Sequence, residues 1–169
     1  EYSPPRVGRR RQAGFDTPSG KVEFASAYLK DLGYDELPVY HRPAYRREPD
    51  AARPFVLMTG ARKLLYLHSR FRNIPRFRTA IPGPEVEMHP DDAAALGVAD
   101  GDTIRLTSPI GAVDLPVKVV AENEILPGNL QVTHGWREAN VNLVTHDDRF
   151  DPVSGFPLMK SIEVSVQKV

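Results

Sequence analysis

Apolar and polar residues alternate along Thr103-Ile104-Arg105-Leu106-Thr107, the period of a strand with one buried face. The same alternation runs through Ala112 to Val120 and through Ser161-Ile162-Glu163-Val164-Ser165-Val166. Shorter apolar stretches at Phe55-Val56-Leu57-Met58, Val86-Glu87-Met88 and Leu130-Gln131-Val132-Thr133 bring the number of predicted strands to six. Turn chemistry separates them: Asp100-Gly101-Asp102, Ser108-Pro109-Ile110-Gly111 and Pro127-Gly128 place Gly and Pro where tight turns prefer them. Pro116 interrupts the second alternating run and predicts an edge or a bulge there. One short helix is expected after His89, with Pro90 in its first turn, Asp91 and Asp92 at the positive end of its dipole and Gly97 ending it.

Residues 1–50 follow another rule. Six prolines (Pro4, Pro5, Pro18, Pro38, Pro43, Pro49) leave no room for a long element. Gly20 to Phe24 predicts a short strand, and Ser26 to Asp31 a short helix stopped by Gly33. The expected organisation is an extended N-terminal arm or linker over 1–50, arriving from a preceding domain, and a β-barrel with one or two short helices over 51–169. The opening from Glu1 to Gln12 has no core pattern and no initial Met, and reads as the start of a piece of a longer polypeptide.

Charge changes the picture more than composition does. The 169 residues carry 22 Lys and Arg against 22 Asp and Glu, yet the two signs are segregated. From Thr59 to Pro84 there are six bases (Arg62, Lys63, Arg70, Arg72, Arg76, Arg78) and no acid; from Glu85 to Glu124, nine acids face Arg105 and Lys118. A neutral total does not supply the long-range field that nucleic acid needs, so the basic stretch is sized for a few phosphates and no nucleic-acid partner is expected. Cysteine is absent, which removes disulfides and thiolate metal sites. No apolar run approaches the roughly 20 residues of a membrane span, so no direct membrane insertion is expected.

Several chemistries fail on spacing. The five histidines (His41, His68, His89, His134, His146) show no paired ligand spacing, so no metal site is expected. Ser69, His134 and Asp151 can be assembled into a triad, but no nucleophile-elbow pattern surrounds the serine, and no catalytic residue is assigned. Gly14 to Lys21 has five residues between its glycines where a P-loop has four, and Val22 stands where Ser or Thr would hold magnesium. There is no Gly-Ser bond for self-cleavage to a pyruvoyl group.

What survives is a phosphate-facing loop. The Thr59-Gly60-Ala61 turn offers small residues that let backbone N–H groups approach an oxygen. Arg62 adds a charge-assisted hydrogen bond of about 1.5–3 kcal/mol, and His68 and Ser69 add short donors. Asn140 and Asn142, two apart, would face the same way on an extended segment, and one of them is expected to cap a turn.

Seven motifs then occur in order: Thr17-Pro18-Ser19-Gly20-Lys21-Val22-Glu23; Thr59-Gly60-Ala61-Arg62 with His68-Ser69; Glu87-Met88-His89-Pro90-Asp91-Asp92-Ala93; Leu96-Gly97-Val98-Ala99-Asp100-Gly101-Asp102; His134-Gly135-Trp136; Ala139 to Thr145; and Asp151 to Pro157 with Lys160. Together they resemble the C-terminal molybdopterin-dinucleotide-binding domain of the dimethyl sulfoxide reductase family of molybdenum and tungsten oxidoreductases, over about Gly14 to Val169. The resemblance implies a double-psi β-barrel that caps molybdopterin guanine dinucleotide. It implies cofactor contacts from Thr59, Gly60, Arg62, His68, Ser69, Arg72, His134, Trp136, Asn142, Phe156 and Lys160, with Asn140 as the turn cap.

It further implies that the molybdenum or tungsten, and any iron–sulfur cluster, are held by upstream catalytic domains of the same polypeptide. An electron-transfer subunit would be a further partner, and the piece alone would be catalytically silent. The motifs around Thr59 to Arg62 and Arg72 to Pro75 resemble the formate dehydrogenase, polysulfide reductase and acetylene hydratase branches more than nitrate reductases. Cytoplasmic and periplasmic locations stay open, since an export signal would lie upstream. The alternative is a stand-alone double-psi barrel that binds protein or nucleic acid.

Overall fold

The computed structural model describes residues 15–41 and 50–169. The opening from Glu1 to Gln12, and Pro43 and Pro49 of the expected arm, lie outside them. Two compact units, residues 1–43 and 44–169, are taken separately.

In the first unit, helix α1 (Ala27–Asp31) starts at Ser26, whose side chain accepts the Leu29 N–H, and stops before Gly33 at φ +83°. The strand expected over Gly20 to Phe24 does not form. Its backbone is drawn into local turns instead: Gly20 N–H donates to Thr17 O, Thr17 Oγ1 to Lys21 O, and Ser19 N–H to Glu23 Oε1. Among the described residues no partner strand pairs with it, and a lone strand is not stable.

The second unit is a closed six-stranded barrel of β1 (Phe55–Met58), β2 (Val86–Met88), β3 (Thr103–Thr107), β4 (Ala112–Val119), β5 (Asn129–Val132) and β6 (Ile162–Lys168). Around the barrel the order is β1-β5-β2-β4-β3-β6. The pairs β1/β5 and β2/β4 are parallel and the other four antiparallel. Exchanging β1, β2, β3 with β4, β5, β6 reproduces every neighbour relation, parallel onto parallel. That internal two-fold relation, with each half crossing over a strand of the other, is the double-psi arrangement.

Alternation fills the interior. Leu57, Val86, Met88, Ile104, Leu106, Leu115, Leu130, Val132, Ile162 and Val164 are fully buried, while the residues between them on β3 and β4 are exposed. Helix α3 (Pro90–Leu96) closes on the core through Ala93, with His89 Nδ1 accepting the Asp91 N–H at its start and Gly97 in the left-handed region at its end. Pro116 marks no edge, since β4 pairs with β3 through it (Thr103↔Pro116) and with β2 from the next residue (Val86↔Val117). Beside it, the Val117 N–H donates to Asp102 O and Val117 O accepts the Gly101 N–H, two residues against one, with Gly101 at φ +87°, as in a bulge.

Two elements depart from the pattern read in the sequence. Helix α2 (Pro75–Ala80) forms inside the basic stretch, started by a proline whose missing N–H is no loss there. Val141–Val144 is a 3-10 helix, not an extended segment, because Asn140 caps it by accepting the Asn142 N–H.

Leu130→Ala is expected to cost about 2–5 kcal/mol, because it empties a fully buried site. Leu64→Ala, at a side chain fully exposed, should stay within about 0.5 kcal/mol. Urea midpoints of the two variants check the assignment of the core.

Candidate functional site

The barrel's pairing decides what meets at one of its ends. Because β1 and β5 run parallel (Met58↔Gln131), the segments that leave them, Thr59 onward and Thr133 onward, emerge side by side. Because β6 runs antiparallel to β1 (Leu57↔Ile162), the residues entering β6 arrive at the same end. Three distant stretches, 59–72, 133–136 and 150–160, therefore converge.

Arg72 ties the first two together. Its guanidinium lies 3.4 Å from the Trp136 ring centroid and 5.1 Å from that of Tyr66. Nε and Nη2 donate to His68 O at 3.1 and 2.9 Å, and Nη2 also donates to His134 O at 3.1 Å. Trp136 is 2% exposed, with Tyr66 edge-on at 5.5 Å. Tyr66 is anchored in turn by its hydroxyl on Ile81 O, 2.8 Å away. Burial lowers the Arg72 guanidinium from its ordinary value, against the pull of Glu138 and Tyr66. Arg72 and Trp136, assigned from the resemblance to the cofactor, thus build the platform under the loop.

That platform sustains backbone strain. His68 has φ +54° and Phe71 φ +70°, a region that costs a side-chain-bearing residue about 1–2 kcal/mol. Gly135, at φ +86°, packs beneath: a Cβ there would lie 3.1 Å from His68 C and Ser69 N. His134 completes the bracket, with Nδ1 2.6 Å from Thr59 O and Nε2 2.5 Å from His68 Nδ1. Both His134 ring nitrogens are spent inside the protein, so His134 too supports the loop. Partial desolvation, then the charges of Arg62, His134 and Arg70, hold His68 below the ordinary histidine value.

Thr59 is 1% exposed, and its N–H and hydroxyl both donate to Met159 O, at 2.7 and 3.3 Å. Its side chain faces inward, joining β1 to the approach to β6. Gly60 is different: a Cβ would make only ordinary contacts, 3.7 Å to Met159 Cβ and 3.8 Å to Lys160 Cε. Nothing within the chain demands glycine at 60. Gly60 and Lys160 border a cavity of about 520 Å³ whose wall includes Phe150, Asp151, Phe156 and Met159. Phe150 and Phe156 are both exposed. Asp151 keeps the rim turned, accepting the Ser154 N–H at 2.6 Å and its hydroxyl at 2.7 Å, which lowers its pKa.

The six-base stretch is less positive than its composition. Lys63 is taken by Glu87, with Glu85 at 3.9 Å, and Arg78 by Glu138 at 3.1 Å. Among the described residues, Arg62, Arg70 and Arg76 have no ion-pair partner, and Arg62, His68, Ser69 and Arg70 are exposed on the loop. Arg62, His68 and Ser69 lie on this loop, and Gly60, Phe156 and Lys160 line one cavity beside it. Asn142 stands apart: it sits on the 3-10 helix, where Leu143 O packs against the turn at Gly111, and no hydrogen bond joins its side chain to the loop among the described residues. Phe150 and Met159 were missed in the sequence. The bridge between Phe150 and Pro157 is what brings the former to the rim, and only two aromatics flanking a Pro/Gly turn hinted at it.

Residues 55–163 match the family model described as "Molydopterin dinucleotide binding domain". The chain is 33% identical over 126 residues to acetylene hydratase of Syntrophotalea acetylenica, covering 72% of this chain and 17% of that protein. It is 32% identical over 124 residues to the dimethyl sulfoxide/trimethylamine N-oxide reductase of Rhodobacter capsulatus, covering 70% and 15%. The solved structure of acetylene hydratase from Pelobacter acetylenicus superposes with a TM-score of 0.78 at 29% identity, over 93% of this chain and 24% of that one. The chain thus spans about a sixth of the length of these two curated relatives.

Arg72→Ala should destabilise the barrel unit by about 2 kcal/mol or more, since it uncovers Trp136 and strips two carbonyls of their donors. Arg72→Lys should recover little, because an ammonium neither stacks nor forks; thermal melts of both variants decide. The depressed Asp151 pKa means that the rim turn is stabilised above the ordinary Asp range and loses that support as pH falls through the native value. The protection of the Val153 to Phe156 amides, measured against their intrinsic exchange rates at each pH, should fall in acid and, in Asp151→Asn, be lower already at neutral pH.

Proposed function

Because this chain belongs to the molybdopterin dinucleotide binding domain family, we propose that the end of the barrel formed by 59–72, 133–136 and 150–160 is the wall that receives the cofactor, with guanine as its nucleobase. The observation that carries this reading is the juxtaposition of an apolar, Phe-rimmed cavity with Gly60, Lys160 and the exposed cations of the loop. A flat aromatic base suits Phe150 and Phe156, and a pyrophosphate suits backbone N–H groups near Gly60 with Arg62 and Lys160. The unforced glycine at 60 fits as well: the room a Cβ would take is left for a ligand to approach the backbone.

In this reading the bound cofactor supplies two-electron chemistry at a molybdenum or tungsten atom held by other domains, and this chain binds and orients it. The polypeptide that completes the site belongs to preceding catalytic domains, with any iron–sulfur cluster there and an electron-transfer subunit beyond. The first unit supports such neighbours: Phe24 is 86% and Tyr40 78% exposed, a degree of apolar exposure that favours cover by another surface. The branch of the parent enzyme is read as that of formate dehydrogenase, polysulfide reductase or acetylene hydratase; an acetylene hydratase and a formate dehydrogenase subunit are among the relatives, beside three dimethyl sulfoxide reductases.

Titrating guanosine diphosphate into the labelled chain should shift the backbone amides of Gly60 to Ser69, Phe156 and Lys160. Lys160→Ala and Arg62→Ala should each weaken binding roughly ten-fold, the loss of one charge-assisted hydrogen bond. An absence of shifts at millimolar nucleotide, or shifts confined to other faces of the barrel, would refute the site.

A further inference from the structure

Three atoms in a row decide where protons sit at this face. Thr59 O can only accept, so the His134 Nδ1 that lies 2.6 Å from it carries a hydrogen. A neutral His134 then has its lone pair on Nε2, 2.5 Å from His68 Nδ1, and only an Nδ1–H on His68 can satisfy it. The opposite tautomer of His68 would set two lone pairs against each other. Arg62 and Arg70 face His68, Arg72 donates to the His134 carbonyl, and neither ring has a carboxylate hydrogen bond among the described residues.

Resting on the reading of this face as the cofactor wall, we infer that His134 is a positioning residue that fixes His68 as its Nδ1–H tautomer. His68 Nε2 is thereby presented outward as a hydrogen-bond acceptor for an N–H or O–H of the bound heterocycle. The amino-pyrimidinone edge shared by pterins and guanine carries such donors. This is the reverse of the tautomer that an unconstrained histidine favours in water, so the protein must impose it.

The surroundings agree. The His68 backbone is clamped in the left-handed region by Arg72 from one side and by Gly135 from beneath, so the ring has a fixed base. The groups that face the ring are Arg62 and Arg70 of its own loop and His134 of the loop after β5, with Arg72 on the carbonyl. Desolvation first, then the positive charge of Arg62 and Arg70, opposes protonation of His68, which keeps the Nε2 lone pair available near neutral pH. The imidazole of His68 is thus an acceptor amid cations, a contrast that sets a pterin or guanine edge apart from a bare phosphate.

Long-range proton–nitrogen correlation on the 15N-labelled 169-residue chain at pH 7.5 reads the tautomers directly. His68 Nδ1 should resonate as a protonated ring nitrogen and Nε2 as an unprotonated one. His134→Gln, whose amide can still donate to Thr59 O and accept from His68, should preserve that pattern. His134→Ala should let His68 revert to the Nε2–H form and weaken 6-hydroxymethylpterin binding roughly five-fold, the size of one lost hydrogen bond. An Nε2–H His68 in the unaltered chain overturns the inference whatever the variants do, including an Ala variant that fails to fold. An unchanged tautomer in folded His134→Ala overturns it as well. Adding the free pterin should move the Nε2 signal and leave Nδ1 in place. If the tautomer is as expected but pterin leaves Nε2 unmoved, the acceptor role falls, and guanosine diphosphate shifts at Gly60 and Lys160 then show whether the cofactor wall itself stands.

Discussion

A guanidinium laid flat on an indole holds this site in shape. Arg72 rests on Trp136 and donates to the carbonyls of His68 and His134, so one side chain fastens the loop leaving β1 to the loop leaving β5. Without it the left-handed backbone at His68 would relax, and the contact between the His68 and His134 rings would go with it. Cation–π stacking of a partly desolvated Arg contributes about 2 kcal/mol, enough to offset one strained residue. The parallel pairing of β1 and β5 makes the arrangement possible, since it delivers both loops to one end of the barrel.

The interior of the barrel was legible because its strands are amphipathic: the alternation at Ile104/Leu106, Val113/Leu115 and Ile162/Val164 is a direct print of burial on one face. Turns were legible for a related reason, as Gly and Pro constrain φ without help from the rest of the fold. The strand expected at Gly20 to Phe24 failed because pairing is a tertiary fact and nothing in five residues reveals a missing partner. Helix α2 escaped notice because its sequence, Pro-Arg-Phe-Arg-Thr-Ala, lacks an apolar stripe, and none of its residues is buried. Asn140 was read as a cap and is one, yet that same cap bends Asn142 into a helix and away from the extended geometry assigned to it.

Site residues divide along a line that residue type could not draw. Arg62 and Arg72 look alike in sequence, but one is exposed on the loop and the other is stacked beneath it. Lys63 and Lys160 differ likewise, the first neutralised by Glu87 and the second open at the cavity. The acids that follow the basic stretch serve geometry: Asp92 accepts the Gly128 N–H, Asp100 the Val119 N–H, and Asp114 pairs with Arg105 across β3 and β4.

The two-fold relation of the barrel carries one more consequence. The link from β1 to β2 and the link from β4 to β5 occupy equivalent places, each vaulting a single strand of the other half. The first takes residues 59–85, twenty-seven in all, and the second only 120–128, nine. Nine residues therefore suffice to close such a crossover, and the eighteen extra residues of the longer link are what build the loop that Arg72 fastens on Trp136. The longer link is basic, whereas the shorter holds Glu122 and Glu124 and no base. A scaffold that is symmetric in its hydrogen bonding is thus asymmetric in what it can display, so the longer crossover can diverge in sequence while the barrel keeps its register.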